Sequence, residues 1–262
     1  MLRTLFKGAR SADAPDGIAT TYRLDRIDAA SVARYSALLG FAQGALPVPF
    51  YYLPTQRAHL ATMLGPEFPF RLAGMIHVEN DIRELQRPDL SAPMDLTTTV
   101  VVEPARRNGA RYCELQTTGS QQGQTVFECR SRYLAVRGER RADGRAPREV
   151  AAVAMGTSLG EWSLAADAGR QYASVSGDWN PIHLWPWSAR LLGMPAPIIH
   201  GMHTVAKACA KLEQHEGRRL SEISARFKAP IPLGAQAELW LSAPDTYQVW
   251  SDGKLAVEGN WR

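Results

Sequence analysis

Tyr172-Ala173-Ser174-Val175-Ser176-Gly177-Asp178-Trp179-Asn180-Pro181-Ile182-His183 is the stretch on which the reading of this chain turns. Residues 166–175 read as a helix that must end here, because proline disfavours helical geometry at the residue before it, Asn180. The resulting turn can bring the carboxylate of Asp178 and the imidazole of His183 to one spot. Such a pair is suited to taking a proton from water and returning a proton to carbon. Spacing alone leaves a plainer alternative open: an Asp before a turn often bonds nearby amides, and a lone histidine is commonly structural.

The pattern extends outward on both sides. Before the turn, residues 159–164 fit a short strand. After it, beyond Pro195-Ala196-Pro197, a helix is expected over 201–214 with Met202, Val205, Cys209 and Leu212 on one face. Four strands follow. In one of them Ala237, Leu239 and Leu241 alternate with Glu238, Trp240 and Ser242, and Asp252-Gly253 marks a hairpin between two others.

The first half repeats the plan. Helices are expected over 29–39 and 56–63, and strands over 75–85, 96–103, 111–118 and 125–136. Asn108-Gly109 and Gln122-Gly123 mark the hairpins. Phe127, Cys129 and Tyr133 share a face opposite Glu128, Arg130 and Arg132, as in an antiparallel sheet with one wet side. The segment Tyr35–Phe41 can be laid over Tyr172–Asp178, with Tyr and Gly identical, which puts Phe41 where the second half carries Asp178. Two helix-and-sheet copies make an α+β protein. The expected boundaries are a first unit over 1–137, a polar, arginine-rich linker over 138–150, and a second unit over 151–262.

Composition narrows the function classes. The chain has 262 residues, 45% hydrophobic and 21% charged, with formal net charge +4. That charge is dispersed, with its densest run at 137–148, and lacks the concentrated basic face with aromatics that nucleic acid prefers. A modest positive field suits a phosphorylated small ligand. The odd cysteines Cys113, Cys129 and Cys209 lie in apolar segments without metal-ligand spacing, so buried free thiols are expected. With no run of 18 apolar residues and no long apolar leader, neither a membrane span nor secretion is expected, and the cytoplasm is the default compartment.

The segment Ser176–His183 resembles the signature of the MaoC-like, (R)-specific enoyl-CoA hydratase family. Pro197-Ile198-Ile199-His200-Gly201-Met202 resembles that family's second block, and residues 227–234 resemble the strand and turn after its central helix. The first half resembles the degenerate unit of double-hotdog members. The resemblance implies a double hotdog, in which each sheet curls on one helix. It implies reversible hydration of a trans-2-enoyl-CoA to the (3R)-3-hydroxyacyl-CoA, with Asp178 and His183 activating water and the backbone N–H of Gly201 stabilising an enolate oxygen.

Asn180 is expected to shape the turn and border the substrate. Arg226 and Lys228 are candidates to meet the ligand's phosphates, although a solvated face also explains them. No metal and no cofactor is implied. His200 and His203 have i, i+3 spacing, but the sequence shows no third ligand near them. Trp179, Trp185 and Trp187 are expected as wall and packing residues. Partners are an acyl-CoA or acyl-carrier-protein thioester, with neither nucleic acid nor membrane, and a homodimer is expected from free sheet edges. Two rivals stand beside this reading: a (3R)-3-hydroxyacyl-carrier-protein dehydratase of fatty-acid or polyketide synthesis, and a non-catalytic acyl-thioester-binding or partner subunit.

Overall fold

Gln122-Gly123 and Asp252-Gly253 hold left-handed backbone at both positions, with φ of 51° and 78° and of 49° and 71°. This is the conformation a two-residue hairpin needs to follow the twist of its strands. The computed structural model in which they are seen describes residues 17–138 and 156–262. The expected linker over 138–150 lies almost wholly outside the described residues.

The element order repeats. The first copy runs β1 (Ala19–Leu24), α1 (Ala29–Leu39), α2 (Tyr52–Leu64), β2 (Ile76–Glu84), β3 (Met94–Val102), β4 (Arg111–Gln121) and β5 (Gln124–Val136). The second runs β6 (Thr157–Ser163), α3 (Ala168–Ser176), the short α4 (Pro186–Leu191), α5 (Gly201–Glu216), β7 (Glu222–Phe227), β8 (Gln236–Ala243), β9 (Thr246–Ser251) and β10 (Lys254–Asn260). Strand order is β1-β3-β4-β5-β2 in the first and β6-β8-β9-β10-β7 in the second, so corresponding strands occupy corresponding places. The pairings within each are antiparallel. This is the expected α+β double-hotdog plan.

By packing, the described chain forms one unit from residues 17–27 and 54–138 and another from 28–53 and 156–262. The sequence predicts an uninterrupted first unit over 1–137. Its first helix is instead seated in the second unit, because the partners of that helix are there. Tyr35 of α1 is fully buried, 6.4 Å from the Tyr172 ring and edge-on to Phe50 at 5.3 Å. Lys207 and Gln214 of α5 donate to the carbonyls of Leu38 and Gly40, and Arg219 donates to that of Leu46.

In the first unit Met63, Phe68, Val100, Cys113, Leu115 and Tyr133 form an apolar cluster. Beside it His59 of α2 bonds Thr117, and Thr117 bonds Thr98. In the second unit α5 lies against β6, β7 and β10 and buries Met202, Val205, Cys209 and Leu212, as its periodicity predicts. All three cysteines are buried and unpaired. No helix among the described residues is long and apolar enough to cross a membrane.

Candidate active site

Tyr172 and Ser176 anchor α3 in the core, and Gly177 ends it in the left-handed conformation, φ 80°. Gly40 ends α1 in the same way, φ 88°, so Phe41 and Asp178 follow equivalent caps. Phe41 is buried and apolar, and the first copy carries no carboxylate at that place.

The turn after Gly177 is built by short polar side chains. The Ser176 hydroxyl accepts from the Asp178 N–H at 3.2 Å, and Asp178 Oδ1 accepts from the Asn180 N–H at 3.2 Å. Asn180 Oδ1 then accepts from the Ile182 N–H at 3.3 Å, capping a 3-10 turn over Pro181–His183. Asn180 therefore shapes the turn with its side-chain oxygen.

His183 is held from behind. Its ring faces the carbonyl of Ile198, 2.9 Å from Nδ1. A carbonyl only accepts, so Nδ1 carries the proton and Nε2 is left with its lone pair. His200, the N-cap of α5, takes the opposite tautomer: its Nε2–H donates to the main-chain carbonyl of Asp178 at 2.9 Å. The two rings lie face to face, 3.7 Å between centroids. Asp178, His183 and His200 each present a ligating atom within 4.8 Å of the others'.

Burial pushes the His183 pKa below the usual histidine value, against the opposing pull of the Ile198 carbonyl and the Asp178 charge. His200 is pushed down to about 4, first by burial and then by His183. Both rings are therefore neutral at pH 7. A neutral His183 beside a carboxylate can accept a proton and have the resulting cation stabilised.

Two residues that hold His183 went unread in the sequence. A Cβ on Gly169, in the first turn of α3, would lie 1.8 Å from the His183 carbonyl oxygen. Only glycine lets the helix approach so closely. The next residue, Arg170, donates to the Leu184 carbonyl at 2.9 Å. The available signal was a glycine inside a predicted helix, which costs about 1 kcal/mol relative to alanine unless close backbone approach needs it.

Gly201 begins α5, where first-turn N–H groups lack intrahelical acceptors and the helix dipole is positive. A Cβ there would meet the Phe227 ring at 2.6 Å. Arg226 and Lys228 alternate with Phe227 along the strand and so face the opposite side from Gly201. Both are exposed, and Lys228 pairs with Glu258 at 2.9 Å. Trp179, Trp185 and Trp187 are 53%, 39% and 61% exposed, and the last two stack on each other with ring centroids 6.1 Å apart. Helix α4 turns its small residues Ser188 and Ala189 inward, which leaves Trp187 outside.

Buried neutral histidines make stability pH-dependent. His59 and His203 are pushed down to about 3 and His200 to about 4, each chiefly by burial. Below pH 6.5 the unfolded chain binds protons at these rings while the folded chain does not, so stability falls with falling pH. Each ring contributes a slope of about 1.4 kcal/mol per pH unit between roughly pH 6 and its folded value. Urea melts from pH 7 to 5 are expected to show this loss, and His59→Gln is expected to lessen it.

A family model described as "MaoC like domain" matches residues 142–252. The 3-hydroxyacyl-thioester dehydratase X of Mycobacterium tuberculosis is 28% identical over 230 residues, covering 84% of this chain and 78% of that protein. The second half of the chain thus carries a segment similar to the MaoC-like domain. The crystal structure of HtdX from M. tuberculosis matches this chain with a TM-score of 0.74 at 25% identity, over 93% of this chain and 99% of that one. A mitochondrial 3-hydroxyacyl-[acyl-carrier-protein] dehydratase of Arabidopsis thaliana is 35% identical over 66 residues, 25% of this chain and 40% of that protein.

Proposed function

We infer that this protein is a hydro-lyase that interconverts a 2-enoyl thioester and a 3-hydroxyacyl thioester. The observation that carries the reading is the convergence of Asp178 and His183, with its Nε2 lone pair, near the start of α5. In the hydration direction the pair holds water. Its oxygen bonds to C3, its proton passes to His183 Nε2, and electron density moves through C2 to the thioester oxygen. The backbone N–H of Gly201 donates to that oxygen in the enolate. A proton from the site then bonds to C2, so that one water is consumed per double bond. Dehydration is the reverse.

Several finer points belong to the same proposal. The product is the (3R) isomer. Asn180 borders the substrate, and Arg226 and Lys228 meet its phosphates, Lys228 exchanging Glu258 for that contact. The first copy, with Phe41 in place of the acid, makes room for the acyl chain rather than a second centre. The assembly is a homodimer and the location cytoplasmic. Coenzyme A is the favoured carrier for the dispersed positive charge, while the similarity to the Arabidopsis protein favours an acyl-carrier protein.

The test follows loss of enoyl-thioester absorbance with crotonyl-, octenoyl- and dodecenoyl-CoA, and with the same acyl groups on a carrier protein, with chiral analysis of the product. Turnover to a (3R) product is expected. A (3S) product would refute the geometry, and turnover restricted to four carbons would refute the role given to the first copy. Because His183 is held below the usual histidine range, the acidic limb of the kcat/KM profile is expected below pH 6.5. A limb at or above 6.5 would remove His183 as the base.

A further inference from the structure

The sequence shows two histidines, His200 and His203, at a spacing that suggests a metal but lacks a third ligand. The fold supplies a different set. His203 turns toward Tyr172, while His200 meets His183 and Asp178 across the end of α3. Two imidazoles and one carboxylate, with a fourth position left for water, is a donor set that zinc favours.

Three further observations suit this set to a cation. His183 donates Nδ1–H to a main-chain carbonyl, the outer contact that typically fixes a ligating histidine and raises its basicity. His200 Nε2 lies 4.0 Å from Asp178 Oδ2, while its Nδ1 is buried without a hydrogen-bond partner among the described residues. The rings are 2% and 8% exposed, so a bound cation would be shielded from bulk water.

We propose that Asp178, His183 and His200 bind one divalent transition-metal cation of the zinc type, which takes the place of the reacting water and switches the site off. The proposal rests on the hydro-lyase reading for its inhibitory consequence, but not for the binding itself. Donor atoms now up to 4.8 Å apart draw in to about 3.3 Å, the spacing that bonds of about 2.0–2.1 Å impose in a tetrahedral site. His200 ligates either through Nδ1 or by giving up its bond to the Asp178 carbonyl.

Zinc added to the metal-free, untagged full-length chain is expected to bind at one equivalent by isothermal titration, and cobalt(II) in its place to give the visible spectrum of low coordination. His200→Ala and Asp178→Asn are each expected to weaken binding at least about tenfold. His215→Ala, at the exposed far end of α5, is expected to leave it unchanged. Turnover should fall in step with occupancy and return on chelation. Absence of binding in the unaltered chain, equal binding by the His200 and Asp178 variants, or binding without inhibition of an active enzyme would each overturn the proposal. A chain that binds zinc through these residues yet hydrates no enoyl thioester would keep the metal site and discard the catalytic reading.

Discussion

Asp178→Asn is expected to lower kcat/KM about 10²–10⁴-fold with little change in folding. The asparagine side-chain oxygen can still accept from the Asn180 N–H, as Asp178 Oδ1 does at 3.2 Å, so the turn that places His183 survives. What disappears is the charge that stabilises a protonated His183 and the oxygen that takes part in moving water's proton. His183→Ala is expected to cost as much in rate, but it also strips the Ile198 carbonyl of its donor in a buried place, at about 1–3 kcal/mol. His183→Asn offers an amide donor to that carbonyl and separates the two effects. Circular dichroism and urea melts alongside initial rates make the comparison. Full activity in Asp178→Asn would refute the assigned chemistry.

Gly169→Ala carries the second large effect, and it reaches the site without touching substrate. The added methyl would overlap the His183 carbonyl at 1.8 Å, and that contact is with backbone, which cannot swing aside like the end of a long side chain. Either α3 lifts or the Pro181–His183 turn moves, and both displace His183 relative to Asp178. A loss of about 1–3 kcal/mol in stability is expected from overpacking. A 1 Å misplacement of reacting groups costs on the order of 10²-fold in rate. The expected result is therefore a folded enzyme, with a lower melting temperature, that has lost kcat far more than KM. A variant with unaltered turnover would show that α3 does not position His183.

Much of this fold is legible in the sequence. Apolar alternation in residues 237–241 and the glycine hairpins fix strands locally, and the 3.6-residue stripe of Met202, Val205, Cys209 and Leu212 fixes α5. Strand β1 is not legible: Ala19–Leu24 is short and polar, and becomes a strand only because β3 offers its edge. Helix α4 is hidden because its outward face is the apolar one. Helix α2 begins at Tyr52, earlier than expected, since Pro54 is tolerated in a first turn. In the site, Asp178 and His183 are readable because one local turn joins them. The arrival of His200 over His183 and the pressure of Gly169 on its carbonyl depend on where α5 and α3 come to rest, which no local pattern encodes.

The lodging of residues 28–53 in the second unit has a practical meaning for anyone who would dissect the protein. A single cut near residue 150 would seem to release the half bearing Asp178 and His183. That piece would leave behind Tyr35, which lies against Tyr172, and would unroof the helix whose end carries the acid. A segment from the first half of the chain is thus part of the body that carries the acid, and a piece meant to retain Asp178 and His183 in their places has to include residues 28–53.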